Sequence, residues 1–158
     1  MGSLVDYDQH YRKGPNQCGD VFPELALFLE TTKNGATLLD LGCGQGRDSL
    51  LAARGGFDVL GVDLSEVGLA QLRDEVQAQN LPVELSCADV VSFRTRRRFD
   101  VVVLDRVLHL LLSDEERELA LLNACRHARK KRRCSSQMAP NTFRRFGASL
   151  PSAPSGGP

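Results

Sequence analysis

The chain has 158 residues, 42% of them hydrophobic, and this length predicts a single domain with one modest core. No run of about 18 apolar residues occurs, and the charged N-terminus is unlike a signal peptide, so we expect no membrane span and a cytoplasmic location. The five cysteines are scattered without a CxxC pair or a Cys/His cluster, which predicts free thiols and no metal site.

The formal net charge of zero hides a strong segregation of charge along the chain. All 20 acidic residues lie at or before Glu118, together with 12 of the 20 basic residues, so this part carries −8 and the remainder +8. The remainder is also rich in Ser, Pro and Gly and has no apolar periodicity. We therefore predict a folded core over residues 1–127 and a basic, disordered tail over residues 128–158.

Helix and strand patterns alternate along the core. Apolar residues at helical spacing predict four helices, over residues 23–30, 47–54, 66–80 and 113–125. Short apolar runs predict four strands, over residues 36–41, 58–65, 82–89 and 99–105. Ser65 and Ser113 are the predicted N-caps of the last two helices. This alternation predicts an α/β fold with a parallel sheet and right-handed crossovers.

The stretch LLDLGCGQGRDSLL joins the first predicted strand to a helix through a glycine loop. Gly42, Gly44 and Gly46 allow a tight turn and the close approach of a ligand to the backbone. A dinucleotide-binding fingerprint would require a glycine where this chain has Arg47. Asp40, just before the loop, would repel a pyrophosphate and would favour a cationic or amine-bearing ligand. The loop therefore favours a ligand other than NAD.

Three acidic residues, Asp40, Asp63 and Asp89, stand at the carboxyl ends of successive predicted strands. A single aspartate in such a place is usually a helix cap, but the carboxyl ends of parallel strands are also where α/β sheets bind ligands. Asp63 follows the glycine loop by about 20 residues, the usual spacing for an acid that binds ribose hydroxyls. Together these positions suit a neutral nucleoside joined to a positively charged amino-acid group.

The ordered motifs LLDLGCGQGRDSLLAARGGFDVLGVDLS, CADV and FDVVVLDRVLHLL resemble those of class I S-adenosylmethionine-dependent methyltransferases. The segments GCGQGRDSLLAARG and YDQHYRKGPN are most similar to the tellurite-resistance and thiopurine methyltransferase-like branch. The resemblance covers roughly residues 7–127. It implies a Rossmann-like parallel sheet and S-adenosylmethionine as the cofactor.

The resemblance also implies a cofactor site along the carboxyl ends of the strands. The residues that match the family's cofactor motifs are Asp40, Gly42, Gly44, Gly46, Asp63, Leu64, Asp89 and Val90. The aspartate and the glycines of the loop would surround the methionine part of the cofactor, and Asp63 would take the ribose hydroxyls. Asp89 would meet the adenine amine, with Leu64 and Val90 beside the ring.

The acceptor is less constrained, because the sulfonium activates the methyl group and the protein need only orient a nucleophile in line with it. We expect a small-molecule acceptor, most simply a soft anion or a thiol. The candidates for the acceptor site are Arg12, Arg47, Asp105, Arg106 and His109. For each arginine the alternative is a solvated side chain, and for His109 it is a packed residue.

Members of this family continue after the fourth helix with three more strands, whereas here only the basic tail follows. We therefore expect a C-terminally truncated methyltransferase that could be inactive, as a shifted reading frame or a shortened splice product would produce. The VVVL strand would then be an exposed edge prone to self-association.

The alternative is a non-catalytic protein that binds S-adenosylmethionine or associates with nucleic acid. The KKRR sequence would then be a nuclear-targeting or nucleic-acid-binding arm. Only Phe143 and Phe146 lie near the bases of the tail, which supports a stacking surface poorly and disfavours nucleic acid as a partner.

Overall fold

The computed structural model describes residues 6–15, 17 and 19–129, so the KKRR segment and the rest of the predicted tail from residue 130 lie outside the described residues. The helices of the described part are α1 (Tyr7–Tyr11), α2 (Pro23–Glu30), α3 (Arg47–Arg54), α4 (Glu66–Gln79), a 3₁₀ helix (Leu108–Leu110) and α5 (Asp114–His127). The strands are β1 (Thr37–Leu41), β2 (Asp58–Asp63), β3 (Val83–Cys87) and β4 (Val101–Val103).

The four strands form one parallel sheet in the order β3-β2-β1-β4. In the register of the sheet, Leu39 of β1 lies between Leu60 of β2 and Val102 of β4. The predicted Rossmann-like α/β fold is therefore confirmed, as are the four predicted strands and the four predicted helices. Helix α1 and the 3₁₀ helix were not predicted.

Local sequence signals account for where the helices begin. Ser65 and Ser113 are the N-caps of α4 and α5, where their hydroxyls accept hydrogen bonds from the third residue of each helix at 3.0 and 3.1 Å. Pro23 occupies the first turn of α2, where its missing N–H has no intrahelical partner to lose. These caps confirm the predicted starts.

Both faces of the sheet are buried, as the continuous apolar runs predict. Leu38 packs on one face with Phe57 and the helices α2 and α3. Leu39 and Leu41 pack on the other face with Phe99. Each of these side chains is at most 1% exposed, and burial of one such side chain contributes about 1.5–3 kcal/mol. The core thus fixes β1, and with it the start of the glycine loop.

The outer edge of β4 has little cover within the described residues. One bridge, between Phe99 and Ala128, lies at the start of this edge. Helices α2 and α5, with the residues just before them, carry large apolar side chains that are more than 40% exposed: Phe22, Leu27, Phe28, Leu112, Leu119, Leu121 and Leu122. Helix α5 instead buries Ala120, Asn123 and His127.

Over residues 6–129, apart from residues 16 and 18, no helix has the length and apolarity needed to cross a membrane. In the same part of the chain, no three His, Cys, Asp or Glu side chains are arranged to hold a metal ion. Cys43, Cys87 and Cys125 are free thiols.

Candidate functional site

A cavity of about 450 Å³ lies at the carboxyl ends of β1, β2 and β4, with α1 and the 3₁₀ helix as two of its walls. Eight of the predicted site residues line it: Gly42, Arg47, Asp63, Leu64, Val90, Asp105, Arg106 and His109. The structure thus brings together residues that are up to 67 positions apart in the chain. The other predicted residues, Asp40, Gly44, Gly46, Asp89 and Arg12, are not among its lining residues.

The glycine loop is required by packing as well as by backbone conformation. Gly42 has φ +87° and Gly46 has φ +85°, in the left-handed region that side chains rarely adopt. A Cβ at Gly42 would lie 2.2 Å from Cγ2 of Val107, and one at Gly46 would lie 2.1 Å from Cδ1 of Leu72. The loop therefore lies too close to its neighbours for any side chain at either position.

Asp63 ties the glycine loop to the end of β2. Its carboxylate accepts hydrogen bonds from the backbone N–H groups of Gly44 and Ser65, both at 2.8 Å. Burial raises the pKa of Asp63, and these hydrogen bonds act in the opposite direction. The side chain is half-buried and still lines the cavity, so it can accept a hydrogen bond from a ligand.

Asp40 lies beneath the loop and is 2% exposed. The hydroxyl of Ser49 donates a hydrogen bond to its carboxylate at 2.6 Å. Burial is the main cause that raises the pKa of Asp40 to about 7; the nearby carboxylates of Asp48 and Asp63 act in the same direction, and the Ser49 hydrogen bond acts against them. Asp40 does not line the cavity. It can therefore act on a ligand there through the electric field of its carboxylate and through its effect on the position of the glycine loop.

Asp89 caps its own turn. Its carboxylate accepts a hydrogen bond from the N–H of Val91 at 2.9 Å, and its carbonyl accepts one from the N–H of Phe93 at 2.7 Å. The next residue, Val90, is the one that lines the cavity. This geometry corresponds to the capping alternative, and a contact between Asp89 and an adenine amine stays a prediction.

Arg47 is neutralised by two carboxylates. Its guanidinium donates to Asp48 at 2.8 and 2.7 Å and also pairs with Asp105 across the cavity. Arg106 is exposed, with its guanidinium 4.5 Å from the ring centroid of Phe22. Arg47 is therefore held by two carboxylates, whereas Arg106 is exposed where it lines the cavity.

His109 is an exposed residue of the 3₁₀ helix and lines the cavity, so the alternative of a packed histidine does not hold. Arg12 is also exposed, but it follows α1 on a turn away from the lining residues. Only His109 of these two is placed to meet a molecule in the cavity.

Helix α1, which sequence analysis missed as an element, covers the cavity. Asp8 accepts hydrogen bonds from the Ser65 hydroxyl at 2.5 Å and from the Val67 N–H at 3.3 Å. The carbonyl of Tyr11 accepts one from the Gln71 amide at 3.1 Å. Asp6 at the N-cap was the available signal, but a helix of five residues leaves almost no periodicity.

The lining residues make the cavity electronegative. Five of them are aspartates and two are arginines: Asp6, Asp8, Asp48, Asp63 and Asp105, with Arg47 and Arg106. With all seven ionised, the lining carries three net negative charges. A cleft with charges of one sign attracts ligands of the opposite sign, so this one favours a cation.

Comparison with known proteins identifies the family. Residues 38–131, more than half of the chain, match the family described as "Methyltransferase domain". A Geobacillus sp. protein named as a methyltransferase is 30% identical over 71% of this chain and 46% of its own length. TehB of Haemophilus influenzae, named as an S-adenosyl-L-methionine-dependent methyltransferase, is 31% identical over 57% of this chain and 31% of its own length.

The crystal structure of Haemophilus influenzae TehB has the same fold, with a TM-score of 0.62 at 22% identity over 78% of this chain and 42% of that one. The chain thus spans less than half the length of each of these relatives. It belongs to the methyltransferase domain family, and TehB is among the proteins that it resembles in sequence and fold.

Proposed function

We propose that this chain binds S-adenosylmethionine and transfers its methyl group to a small-molecule acceptor. The observation that carries the proposal is the electronegative cavity that is lined by Gly42 of the glycine loop and by Asp63. Its volume of about 450 Å³ is within the range of sites that enclose small ligands. Membership of the family supports the same ligand, as does the similarity to TehB, which is named as an S-adenosyl-L-methionine-dependent enzyme.

The residues of the cavity suit the two ends of this cofactor. Asp63 would accept hydrogen bonds from the ribose hydroxyls, while Leu64 and Val90 would contact the adenine ring. The backbone of the loop at Gly42 and the field of Asp40 would favour the cationic methionine end. A neutral nucleoside beside a positive group is the charge pattern that this lining favours.

The bound cofactor supplies an activated methyl group, and the chain's own residues bind, orient and exclude water. We propose that the acceptor lies near Asp105, Arg106 and His109, and that it is a soft anion or a thiol. Arg106 would attract the anion, and His109 would accept a proton from a thiol. Arg47, held by two carboxylates, would instead fix the position of Asp105.

Calorimetric titration with S-adenosylhomocysteine tests the cofactor site. We expect micromolar binding by the wild type and a loss of about 10- to 100-fold for Asp63→Ala, because a hydrogen bond to a charged group contributes about 1.5–3 kcal/mol. Asp58→Ala, at the exposed opposite end of the same strand, is the matched control and should bind normally. Absence of binding by the wild type would refute the proposal.

The acceptor is tested by methylation of a thiol and of a soft anion with labelled S-adenosylmethionine. Arg106→Gln should lower the rate with the anion and leave the rate with a neutral thiol within about twofold, because only the anion depends on the cation. Equal losses with both acceptors would refute the assigned role of Arg106.

We also propose that the edge of β4 supports self-association. Its inner side pairs with β1, and the groove along it is lined by apolar side chains of α2 such as Leu25 and Phe28. Exposed apolar strand edges are templates for pairing with another chain. A second copy of this chain has the same edge and the same apolar surroundings.

A further inference from the structure

Asn123 is a fully buried amide on α5 that does not line the cavity. Its Nδ2 donates hydrogen bonds to the carbonyl oxygens of Val90 at 2.8 Å and Phe93 at 3.0 Å. Its Oδ1 accepts one from Nη1 of Arg94 at 2.8 Å. Burial of an amide is unfavourable unless its hydrogen bonds are made, and here both donors and the acceptor are used.

The segment that Asn123 holds has neither strand nor helix geometry. The segment runs from Asp89 to Phe93, after the end of β3. The hydrogen bonds within the segment are those of the short turn at Asp89. Side-chain bonds from other elements therefore determine where this segment lies. Two of these bonds come from the single amide of Asn123.

The same segment forms a wall of the cavity. Val90 lines the cavity and is 4% exposed, so its side chain also packs into the core beside Leu39, Leu41 and Phe99. The carbonyl that Asn123 holds belongs to this residue. A displacement of the carbonyl would rotate the peptide and move the Val90 side chain with it.

Helix α5 adds a second contact to this segment one turn later. The ring of His127 lies 5.5 Å from the ring of Phe93, measured between centroids, and its Nε2 is 3.5 Å from the Phe93 carbonyl. The helix is otherwise outside the cavity, since none of its residues is among the lining. Helix α5 also holds the 3₁₀-helix side of the cavity, where the Arg117 guanidinium donates to the carbonyls of Leu108 at 3.1 Å and Leu111 at 2.8 Å. Its contact with the Val90 side of the cavity is made through the segment from Asp89 to Phe93.

We propose that Asn123 is a positioning residue that sets the nucleoside wall of the cofactor site by fixing Val90 from behind. This inference rests on the proposed function, because it assumes that a nucleoside lies against Val90. Helix α5 would then affect the affinity for the cofactor although none of its residues lines the cavity. Asn123 acts through the backbone of the segment, and it touches neither ligand nor reacting atoms.

The test compares Asn123→Ala with Ala120→Gly, a variant one turn earlier on the same helix at a residue that is also 0% exposed. Ala120→Gly weakens α5 by about 1 kcal/mol without removing a hydrogen bond to the segment. Binding of S-adenosylhomocysteine and of adenosine is measured by calorimetry, below the melting midpoint of each variant. Amide hydrogen exchange of residues 89–93 is measured without ligand.

We expect Asn123→Ala to lose at least about tenfold in affinity for both ligands, with faster exchange confined to residues 89–93. Ala120→Gly should bind within about twofold of the wild type. Arg94 is exposed, and its guanidinium donates to the Asn123 amide oxygen and also to the carbonyls of Val91 and Phe93. Arg94→Ala removes these bonds and should show a loss in the same direction.

Normal affinity in both Asn123→Ala and Arg94→Ala would overturn the inference while leaving the proposed function intact. Equal losses in Asn123→Ala and Ala120→Gly would also overturn it, because helix stability alone would then explain them. Failure of the wild type to bind S-adenosylhomocysteine would refute the proposed function and the inference with it. Localised exchange in Asn123→Ala would still show that the amide holds the segment.

Discussion

The replacement of Asp40 by asparagine should make the protein more stable at neutral pH. Asp40 is 2% exposed, and burial together with two neighbouring carboxylates raises its pKa from 3.8 to about 7. Asparagine has nearly the same shape, carries no charge and keeps an oxygen that can accept the 2.6 Å hydrogen bond from Ser49. The variant therefore removes the titration and little else.

The sign and size of the effect follow from the difference in pKa between the folded and unfolded chain. Asp40 ionises above about pH 4 when unfolded but stays protonated up to about pH 7 when folded. The contribution of Asp40 to the free energy of unfolding therefore falls as the pH rises through this window, by about 1.4 kcal/mol per unit. The full difference, reached above pH 7, is about 4 kcal/mol.

Urea unfolding of wild type and Asp40→Asn between pH 4 and pH 8 measures this difference. The free energy of unfolding of Asp40→Asn, relative to that of the wild type, should increase with pH and level off above pH 7. A pH-independent difference caused by the amide itself would not change this trend. Asp58→Asn, an exposed carboxylate on the neighbouring strand, serves as the control and should follow the wild type. Parallel curves for wild type and Asp40→Asn would refute the buried-acid explanation.

Three further predictions concern the packing of the fold. Gly46→Ala should lower the free energy of unfolding by about 2–5 kcal/mol in urea, because it combines left-handed strain with a Cβ 2.1 Å from Leu72; a loss under 1 kcal/mol would contradict this. Burial lowers the pKa of His127, so the contribution of His127 to stability should decrease as the pH drops below about 6.5; in thermal melts the stability of His127→Leu relative to the wild type should therefore increase below that pH, and a constant difference would contradict this. Phe28→Lys should reduce self-association in sedimentation experiments, because Phe28 is 51% exposed in the groove beside β4 and the change places a charge there; unchanged sedimentation would contradict that interface.

The sheet could be predicted because its signals are local and strong. VVV is apolar at every position and TLLDL at three of five, a pattern that is typical of strands buried on both faces of a sheet. Helix α5 could be located by its Ser113 cap, but not oriented. Leu119 and Leu122 suggest an inward face, yet the structure buries Asn123, whose three hydrogen bonds depend on a segment about 30 residues away.

In the site, too, features that depend on neighbouring residues in the chain could be predicted, whereas features that depend on distant residues could not. Gly42 and Gly46 could be singled out from sequence because a loop between strand and helix favours glycine there. Nothing near Arg47 in the chain indicates that Asp105, 58 positions later, would neutralise it. Likewise, Asp40 and Asp89 occupy equivalent strand ends, and only the surrounding packing makes one a buried acid and the other a turn cap.

Strand β1 can carry a destabilising acid because the rest of the strand is so well buried. Leu38, Leu39 and Leu41 are all 0% exposed, and at about 1.5–3 kcal/mol each their burial exceeds the roughly 4 kcal/mol that an ionised Asp40 costs. The field of that carboxylate reaches the glycine loop, where a cation would offset the cost. An uncharged residue at position 40 would make a more stable strand and a poorer cation site, which is the compromise expected of a binding site.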